Sequence, residues 1–294
     1  MGGWTRVTLL GAAEIRELAE RLDISPTKKL GQNFVIDANT VRKIVKTAGV
    51  TPGETVVEIG PGLGSLTLGL LEAGASVVAV EIDARLAAAL PSTVNAHAPG
   101  SSLAVIHQDA LTVVDLPGEP SRLVANLPYN VSVPVLLHVM ENFPSIRSGV
   151  VMVQAEVGHR LAASPGSKIY GSPSVKAAWY GSWRIAGTVS RQVFWPVPNV
   201  DSVLVAFERH ASARGANGES DGVTEPGHEA LRRRAFELVD AAFGQRRKML
   251  RQALAGVYGS SEAASQALER ASIAPTRRGE ELVLDDFVRL ARVV

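Results

Sequence analysis

The tetrapeptide Asn126-Leu127-Pro128-Tyr129 contains residue types that could hold a planar nucleobase. Because proline makes the turn rigid, the Leu127 carbonyl and the Asn126 amide oxygen can point outward together and accept hydrogen bonds from an exocyclic amino group. Tyr129 offers a flat face on which a base can stack. The structural alternative is a turn at the end of a strand, with Asn126 as a local cap and Tyr129 as packing.

Two acceptors aimed at an exocyclic amine suit methyl transfer to N6 of adenine. This nitrogen is a weak nucleophile since its lone pair is delocalised into the ring, and acceptors on its protons favour the charge that develops during attack. Most of the acceleration would come from positioning and from dipoles placed for the transition state, with no metal required. The chain has no cysteine, which excludes a covalent thiolate mechanism, structural disulfides and thiolate zinc sites.

A glycine-rich loop, Gly60-Pro61-Gly62-Leu63-Gly64-Ser65, follows a short apolar run. Its glycines would let a ligand approach the backbone, and the next helix would offer free N–H groups. Ser65 stands where the dinucleotide fingerprint has its third glycine, so a cofactor without a pyrophosphate fits better than NAD. Glu81 ends the next run, where an acid can accept both hydroxyls of a ribose. The loop and Glu81 predict a nucleoside-containing ligand, whereas the loop alone could be a packing turn.

Asp109 follows a third apolar run in the sequence His107-Gln108-Asp109-Ala110. An acid at this place could accept a hydrogen bond from the exocyclic amine of an adenine. It could equally cap the next turn. The sequence leaves both interpretations of Asp109 open.

The elements that must position these residues are short apolar runs bounded by turn residues, which predict buried strands. They lie at 55–60, 76–82, 103–107, 122–126 and 149–157, and two later runs, 183–189 and 202–208, could pair antiparallel at one edge. Residues 65–74 predict a helix, and Asp83 would cap a second helix that Pro91 closes. Strands alternating with helices predict an α/β fold, a doubly wound parallel sheet covered by helices on both faces.

Four separated motifs resemble those of the rRNA adenine N6,N6-dimethyltransferases of the small ribosomal subunit, in the same order and spacing. The motifs are 29–35 (KLGQNFV), 58–64 (EIGPGLG), 126–129 (NLPY) and 194–202 (FWPVPNVDS). The resemblance covers the chain from about Ile24 to Leu290. It implies a seven-stranded Rossmann-like S-adenosylmethionine-dependent methyltransferase sheet with a small all-helical C-terminal domain.

The resemblance also implies which residues bind the cofactor S-adenosylmethionine and the target base. Gln32, Asn33 and Val35 would close over the cofactor, with Gly60 at its methionine end. Glu81 would hold the ribose and Asp109 the adenine amine, and the cofactor-binding set is completed by Gly62, Ile82, Ala110 and Asn126. Asn126 would lie between cofactor and target, while Tyr129 and Phe194 would sandwich a flipped-out adenine. The catalytic set is therefore Asn126, Leu127, Pro128, Tyr129 and Phe194.

Charge is distributed unevenly along a chain whose net charge is only +1, since acids dominate 51–130 and bases dominate 142–191 and 231–254. This asymmetry suggests a polyanionic partner, although solvated helix faces would also explain it. Residues 244–254 (GQRRKMLRQAL) predict a helix that presents cations to phosphates. The cations predicted to bind RNA are Arg246, Arg247, Lys248 and Arg251.

Residues 244–254, together with Pro275 and 278–282, resemble the small-subunit branch of the family. The implied function is dimethylation of N6 of two adjacent adenosines near the 3′ end of 16S rRNA, in the small ribosomal subunit during ribosome assembly. One alternative is a 23S rRNA adenine N6-methyltransferase that confers macrolide resistance. Another is a non-catalytic assembly or binding factor that has kept the cofactor pocket.

Composition supports a folded, two-part protein. With 46% hydrophobic and 20% charged residues, the 294-residue chain can bury a large core. The Gly- and Ser-rich stretch 211–229 predicts a flexible linker or loop between an N-terminal extension plus catalytic domain (1–210) and a helical rRNA-binding domain (230–294). The chain has no run of about 18 apolar residues and no signal-peptide pattern, so we expect a cytoplasmic protein with no membrane contact, acting as a monomer.

Overall fold

The structure, a computed structural model, describes residues 7–24, 33–211 and 228–293. The chain divides into two compact units. The first unit comprises Met1–Gly158 and Arg184–Arg209, and the second comprises His159–Trp183 and His210–Val294.

A seven-stranded sheet is the framework of the first unit. Along the chain the strands are β1 (Phe34–Val35), β2 (Thr55–Ile59), β3 (Ser76–Glu81), β4 (Leu103–His107), β5 (Arg122–Asn126), β6 (Ser148–Gln154), β7 (Gly181–Val189), β8 (Phe194–Trp195) and β9 (Ser202–Arg209). The large sheet has the order β4-β3-β2-β5-β6-β9-β7, while β1 and β8 form a separate antiparallel pair. This is the α/β sheet that the sequence predicts, and the two late strands are neighbours at one edge, as expected.

Strand direction defines where a ligand can bind. The strands β4, β3, β2, β5 and β6 run parallel to their neighbours, and β9 is antiparallel to β6. The chain leaves β2 toward β3 on one side and leaves β5 toward β6 on the other, so the order reverses between β2 and β5. In open α/β sheets, ligands bind outside the carboxyl ends of the strands at such a reversal.

Twelve α-helices lie in the described part of the chain. They are α1 (Ala12–Arg21), α2 (Ala38–Ala48), α3 (Ser65–Glu72), α4 (Ala84–His97), α5 (Ser132–Asn142), α6 (Ala155–Leu161), α7 (Ser172–Tyr180), α8 (His228–Gly244), α9 (Leu250–Ala253), α10 (Ala255–Tyr258), α11 (Ser261–Arg270) and α12 (Leu284–Arg292). Short 3₁₀ helices occupy Arg191–Val193 and Gly279–Glu281. None of the helices in these ranges has both the length and the apolar character needed to cross a bilayer.

Two predicted boundaries were wrong. Pro91 does not close α4, which continues to His97, because Thr93 and Val94 after the proline are buried against the core and the proline itself is exposed. The apolar run 149–157 is a strand only as far as Gln154, and α6 begins at Ala155. In both cases, packing beyond the local sequence signal sets the end of the element.

The segment before the family motifs packs on the first unit. Leu10, Ile15 and Ile24 are buried in the same hydrophobic cluster as the sheet. The backbone N–H of Thr8 donates to the carbonyl of His97 at 2.9 Å, which ties this segment to the end of α4. The N-terminal extension is thus part of the core of the first unit.

The second unit has a helical core of its own. Leu238 of α8, Leu268 of α11 and Phe287 of α12 are fully buried in one cluster, which also contains Tyr170 and Val175. The Tyr170 hydroxyl donates to the Leu282 carbonyl at 3.0 Å. The unit therefore includes residues 159–183, which the sequence analysis placed in the range 1–210, because these residues bury their apolar side chains against the C-terminal helices.

The cationic stretch 244–254 is not one helix, contrary to the prediction. The helix α8 ends at Gly244, a turn occupies 245–249, and α9 begins at Leu250. The backbone N–H of Leu250 donates to the Arg277 carbonyl at 2.7 Å and that of Arg251 to the Pro275 carbonyl at 3.2 Å. These bonds to a distant segment replace the bonds of a continuous helix, so Arg246, Arg247 and Lys248 lie on a turn, while Arg251 lies in α9.

Candidate active site

A cavity of about 210 Å³ opens at the carboxyl ends of β2, β3 and β5, at the reversal of strand order. It is formed by residues of the first unit alone. Twelve of the predicted site residues line it: Asn33, Val35, Gly60, Gly62, Glu81, Ile82, Asp109, Ala110, Asn126, Leu127, Pro128 and Tyr129. Gln32 lies outside the described residues. Residues far apart in the sequence are thus brought to one cavity.

The glycine-rich loop forms one wall of the cavity and requires its glycines. Gly60, Gly62 and Gly64 have φ values of +70°, +57° and +97°, a backbone conformation that side chains disfavour. A Cβ atom on Gly62 would also lie 2.9 Å from the Phe34 ring. The loop therefore brings backbone N–H groups to the cavity wall at the start of α3, where the helix dipole favours negative charge.

Glu81 is held in place at the end of β3. It is 5% exposed, and its two carboxylate oxygens accept hydrogen bonds from the backbone N–H groups of Gly62 and Asp83, each at 3.0 Å. Burial raises the pKa of Glu81, while these two N–H groups favour its charged form. Each oxygen keeps a second acceptor site, which is what binding of a ribose diol requires. The neighbouring Ile82 is 56% exposed and offers an apolar face.

Asp109 forms the local cap and also lies at the cavity, so its contact with an adenine amine stays a prediction. Its Oδ1 accepts from the backbone N–H of Leu111 at 2.9 Å, which is the local cap. The residue also lines the cavity, next to Ala110. The cap occupies one acceptor site of one oxygen, so the carboxylate can still accept a hydrogen bond from a ligand amine.

The Asn126 side chain is oriented by a hydrogen bond from across the cavity. Its Nδ2 donates to the Asn33 carbonyl at 3.0 Å, which leaves Oδ1 as an acceptor. The backbone N–H of Leu127 donates to the Met152 carbonyl of β6 at 3.0 Å, and the Leu127 side chain is fully buried. The turn that carries the two acceptors, Asn126 Oδ1 and the Leu127 carbonyl, is therefore fixed to β6.

Tyr129 contributes a positioned ring to the cavity wall. Its hydroxyl is within hydrogen-bond distance of the Ser202 hydroxyl, at 2.8 Å, and the residue is half-buried. Burial raises the pKa of Tyr129, so the phenol stays protonated at neutral pH. A fixed, partly exposed ring suits stacking on a planar base.

Phe194 is not brought to the cavity. It is 1% exposed in the core of the first unit, in register with Val35 in the β1–β8 pair. A ring buried on all sides offers no face to a base in this conformation. The predicted sandwich of the target between Tyr129 and Phe194 stays a prediction.

Sequence reasoning assigned no role to Glu58, which also lines the cavity. It is 1% exposed, and the Thr67 hydroxyl donates to its Oε2 at 2.6 Å. Burial raises the pKa of Glu58 to about 8. A signal was present in the sequence, since an acid within the apolar strand 55–59 is rarely buried without a function or a partner.

The cations predicted to bind RNA belong to the second unit. Arg246 is ion-paired to Glu280 at 2.7 Å. Arg247 and Lys248 are exposed, and neither has an ion-pair partner within residues 228–293 or the other described ranges. Arg251 is half-buried beside them in the chain. The structure thus separates one cation held by an acid from two that are available to a partner.

The fold and the cavity together define a Rossmann-like methyltransferase. A family model for ribosomal RNA adenine dimethylase matches residues 25–293, and the chain belongs to that family. The ribosomal RNA small subunit methyltransferase A of Leifsonia xyli subsp. xyli is 70% identical over 285 residues, covering 96% of this chain and 98% of that protein. The protein of the same name from Corynebacterium jeikeium is 57% identical, with coverages of 97% and 96%.

Solved structures agree with the fold. A dimethyladenosine transferase from Plasmodium falciparum superposes with a TM-score of 0.69 at 23% identity, over 86% of this chain and 94% of that chain. The 23S rRNA methyltransferase ErmE superposes with a TM-score of 0.61 at 26% identity, over 88% and 98%. The predicted fold class and the predicted family of rRNA adenine dimethyltransferases are confirmed.

Proposed function

We propose that this protein transfers methyl groups from S-adenosylmethionine to N6 of two adjacent adenosines near the 3′ end of 16S rRNA, two groups to each, during assembly of the small ribosomal subunit in the cytoplasm. The observation that carries the proposal is the oriented Asn126 amide, in one cavity with Glu81 and Asp109. The name shared by the most similar relatives, small subunit methyltransferase A, supports this choice of substrate.

The residues present fit S-adenosylmethionine. Glu81 can accept from its ribose hydroxyls and Asp109 from its adenine amine, and Ile82 offers an apolar contact. The Ser65 hydroxyl at the start of α3 lines the cavity, buried and without a hydrogen-bond partner in the described part of the chain. A buried polar group that lacks a partner costs free energy, which a polar ligand group would recover.

The protein's own groups would position the nucleophile. When bound, the cofactor supplies an activated methyl group. Asn126 Oδ1 and the Leu127 carbonyl would accept the two N6 protons of the target adenine, which orients the nitrogen lone pair and stabilises the positive charge that develops on it. Tyr129 would stack on the base and offset part of the cost of extracting it from its RNA environment.

We further propose that the second unit binds the rRNA backbone through the turn at 245–249. The exposed Arg247 and Lys248 can form ion pairs with phosphates, which bind and orient without reading sequence. One copy of the chain suffices in this proposal, because every predicted cavity residue within the described ranges comes from a single first unit.

The test is transfer of labelled methyl groups from S-adenosylmethionine to purified small subunits that lack the modification, with large subunits in parallel. We expect near-stoichiometric labelling of small subunits, recovered as N6,N6-dimethyladenosine. Labelling of large subunits alone would assign the protein to the 23S rRNA branch, with which it shares its fold. Binding to small subunits without labelling would show a non-catalytic assembly factor.

A further inference from the structure

The cavity contains a buried acid that the proposed mechanism does not use. Glu58 lies near the end of β2 with Thr67 as its hydrogen-bond donor. Of the described residues that line the cavity, three are acids (Glu58, Glu81 and Asp109), and none is lysine, arginine or histidine. A cavity with this lining favours a ligand that carries positive charge.

Among the described residues, Glu81 is the charged group that acts on Glu58, and it favours the neutral form in the free protein, whereas the Thr67 hydrogen bond favours the charged form. The adjacent strand β3 contributes Glu81, whose charge repels a charge on Glu58. On α3, the residue in contact with Glu58 is Thr67, which is uncharged. On the other adjacent strand, β5, Arg122 stands at the amino end and is ion-paired to Glu54 at 2.9 Å. Within residues 7–24, 33–211 and 228–293, no cation therefore compensates the cost of burying the Glu58 carboxylate.

We propose that Glu58 responds to the positive charge on the sulfur of the methyl donor, so that the cavity binds the charged donor more tightly than the uncharged product. This inference rests on the proposed function, which supplies the donor S-adenosylmethionine, a sulfonium cation, and the product S-adenosylhomocysteine, a neutral thioether. A cation in the cavity would stabilise the Glu58 carboxylate. Glu58 would then release its proton to solvent when the donor binds.

Protons released and taken up are balanced over one methyl transfer. The S–CH₃ bond breaks with its electron pair left on sulfur, the N6–CH₃ bond forms, and N6 gives up one proton. Glu58 takes up a proton again as the positive charge leaves the sulfur. The product then sits beside a neutral acid and has lost its electrostatic attraction. This matters because each adenosine takes two methyl groups, so product must leave and donor must enter between transfers.

Titration calorimetry of the full chain tests the inference without relying on turnover. S-adenosylmethionine and S-adenosylhomocysteine are each titrated at pH 7 in phosphate and in Tris, whose ionisation enthalpies differ, so that the heats give the protons released. Because the Glu58 pKa is about 8, we expect release of about one proton with the donor and close to none with the product. Donor affinity should rise with pH and become constant above pH 8, while product affinity stays constant.

Glu58→Gln is the matching variant, since glutamine keeps the shape and the acceptor for Thr67. It should abolish proton release. It should also reduce the ratio of donor affinity to product affinity by about tenfold, a free-energy change that equals a pKa shift of about one unit. Glu72→Gln, an acid on α3 that is ion-paired to Arg42 and does not line the cavity, is the control and should leave both quantities unchanged.

The outcomes separate the inference from the proposed function. Equal proton release with both ligands in the wild type, or an unchanged preference in Glu58→Gln, would overturn the role of Glu58 while leaving the cofactor assignment intact. If the wild type binds neither ligand, the proposed function fails, and the inference fails with it.

Discussion

The cavity of the first unit and the turn at 245–249 of the second use charge in opposite ways. In the cavity, Glu58 and Glu81 are buried and held by hydrogen bonds from Thr67 and from backbone N–H groups. On the turn, Arg247 and Lys248 are exposed and free of acidic partners within the described ranges. The buried acids act through geometry on one small ligand, whereas the exposed charges act through number on a polyanion and are screened by salt.

The largest expected effect comes from removing the acceptor in the cavity. Asn126→Ala should reduce the rate of methyl transfer to small subunits by roughly 100- to 1000-fold, the usual cost of deleting one preorganised group that acts on developing charge. Cofactor binding, followed by calorimetry, should be weakened but still measurable. Wild-type turnover in this variant would contradict the role of Asn126.

The next effect separates cofactor binding from chemistry in the same cavity. Glu81→Ala should weaken S-adenosylmethionine binding by roughly 10- to 100-fold, because hydrogen bonds to a charged group are worth about 1.5–3 kcal/mol. The rate at saturating cofactor should change much less. Glu72→Ala is the matched control on α3, and unchanged affinity in Glu81→Ala would exclude the ribose role.

A smaller effect is expected on the turn. The double variant Arg247→Ala/Lys248→Ala should weaken binding to small subunits and reduce the salt dependence of that binding by about one counterion for each cation removed. Cofactor affinity should not change. Arg233→Ala/Arg234→Ala is the control in the same unit, because both arginines are ion-paired, to Glu229 and Glu237. Equal salt dependence in the two variants would contradict a specific role for the turn.

The last effect is on stability and depends on pH. Since burial raises the Glu58 pKa from 4.5 to about 8, the folded protein holds a proton that the unfolded chain releases. Its contribution to the free energy of unfolding is full below pH 4.5 and is lost as the pH rises through about 8. Glu58→Gln should therefore lose less stability than the wild type over this range, as urea unfolding at several pH values would show. Parallel curves for the two proteins would argue against a neutral Glu58.

Much of the first unit could be predicted because its signals are local. Five parallel strands appear as apolar runs, although β4, at the edge of the sheet, is only partly buried. The glycine-rich loop and Glu81 stand where parallel strands end. Because these strands are parallel, their carboxyl ends lie along one edge of the sheet. The predicted lining residues therefore meet in one cavity. The Asp109 cap is likewise a local signal, whereas the Asn126 orientation depends on the Asn33 carbonyl, which no spacing rule identifies.

The parts that sequence reasoning missed depend on contacts between distant segments. The cationic stretch 244–254 has helical spacing, yet its backbone bonds to 275–277 break the helix. Residues 159–183 carry no signal that they pack with the C-terminal helices, which Tyr170 and Val175 nevertheless do. The base contact of Phe194, which the family resemblance implied, stays a prediction, since the β1–β8 pair buries its ring in this conformation.

The most direct test of the central claim is the position of the transferred methyl groups. Small subunits that lack the modification are incubated with the protein and S-adenosylmethionine, and nuclease fragments of their 16S rRNA are analysed by mass spectrometry. The account predicts two methyl groups on N6 of each of two adjacent adenosines near the 3′ end, and roughly 100- to 1000-fold slower methylation of these positions with Asn126→Ala. Methyl groups at another position of 16S rRNA, or only in 23S rRNA, would contradict it.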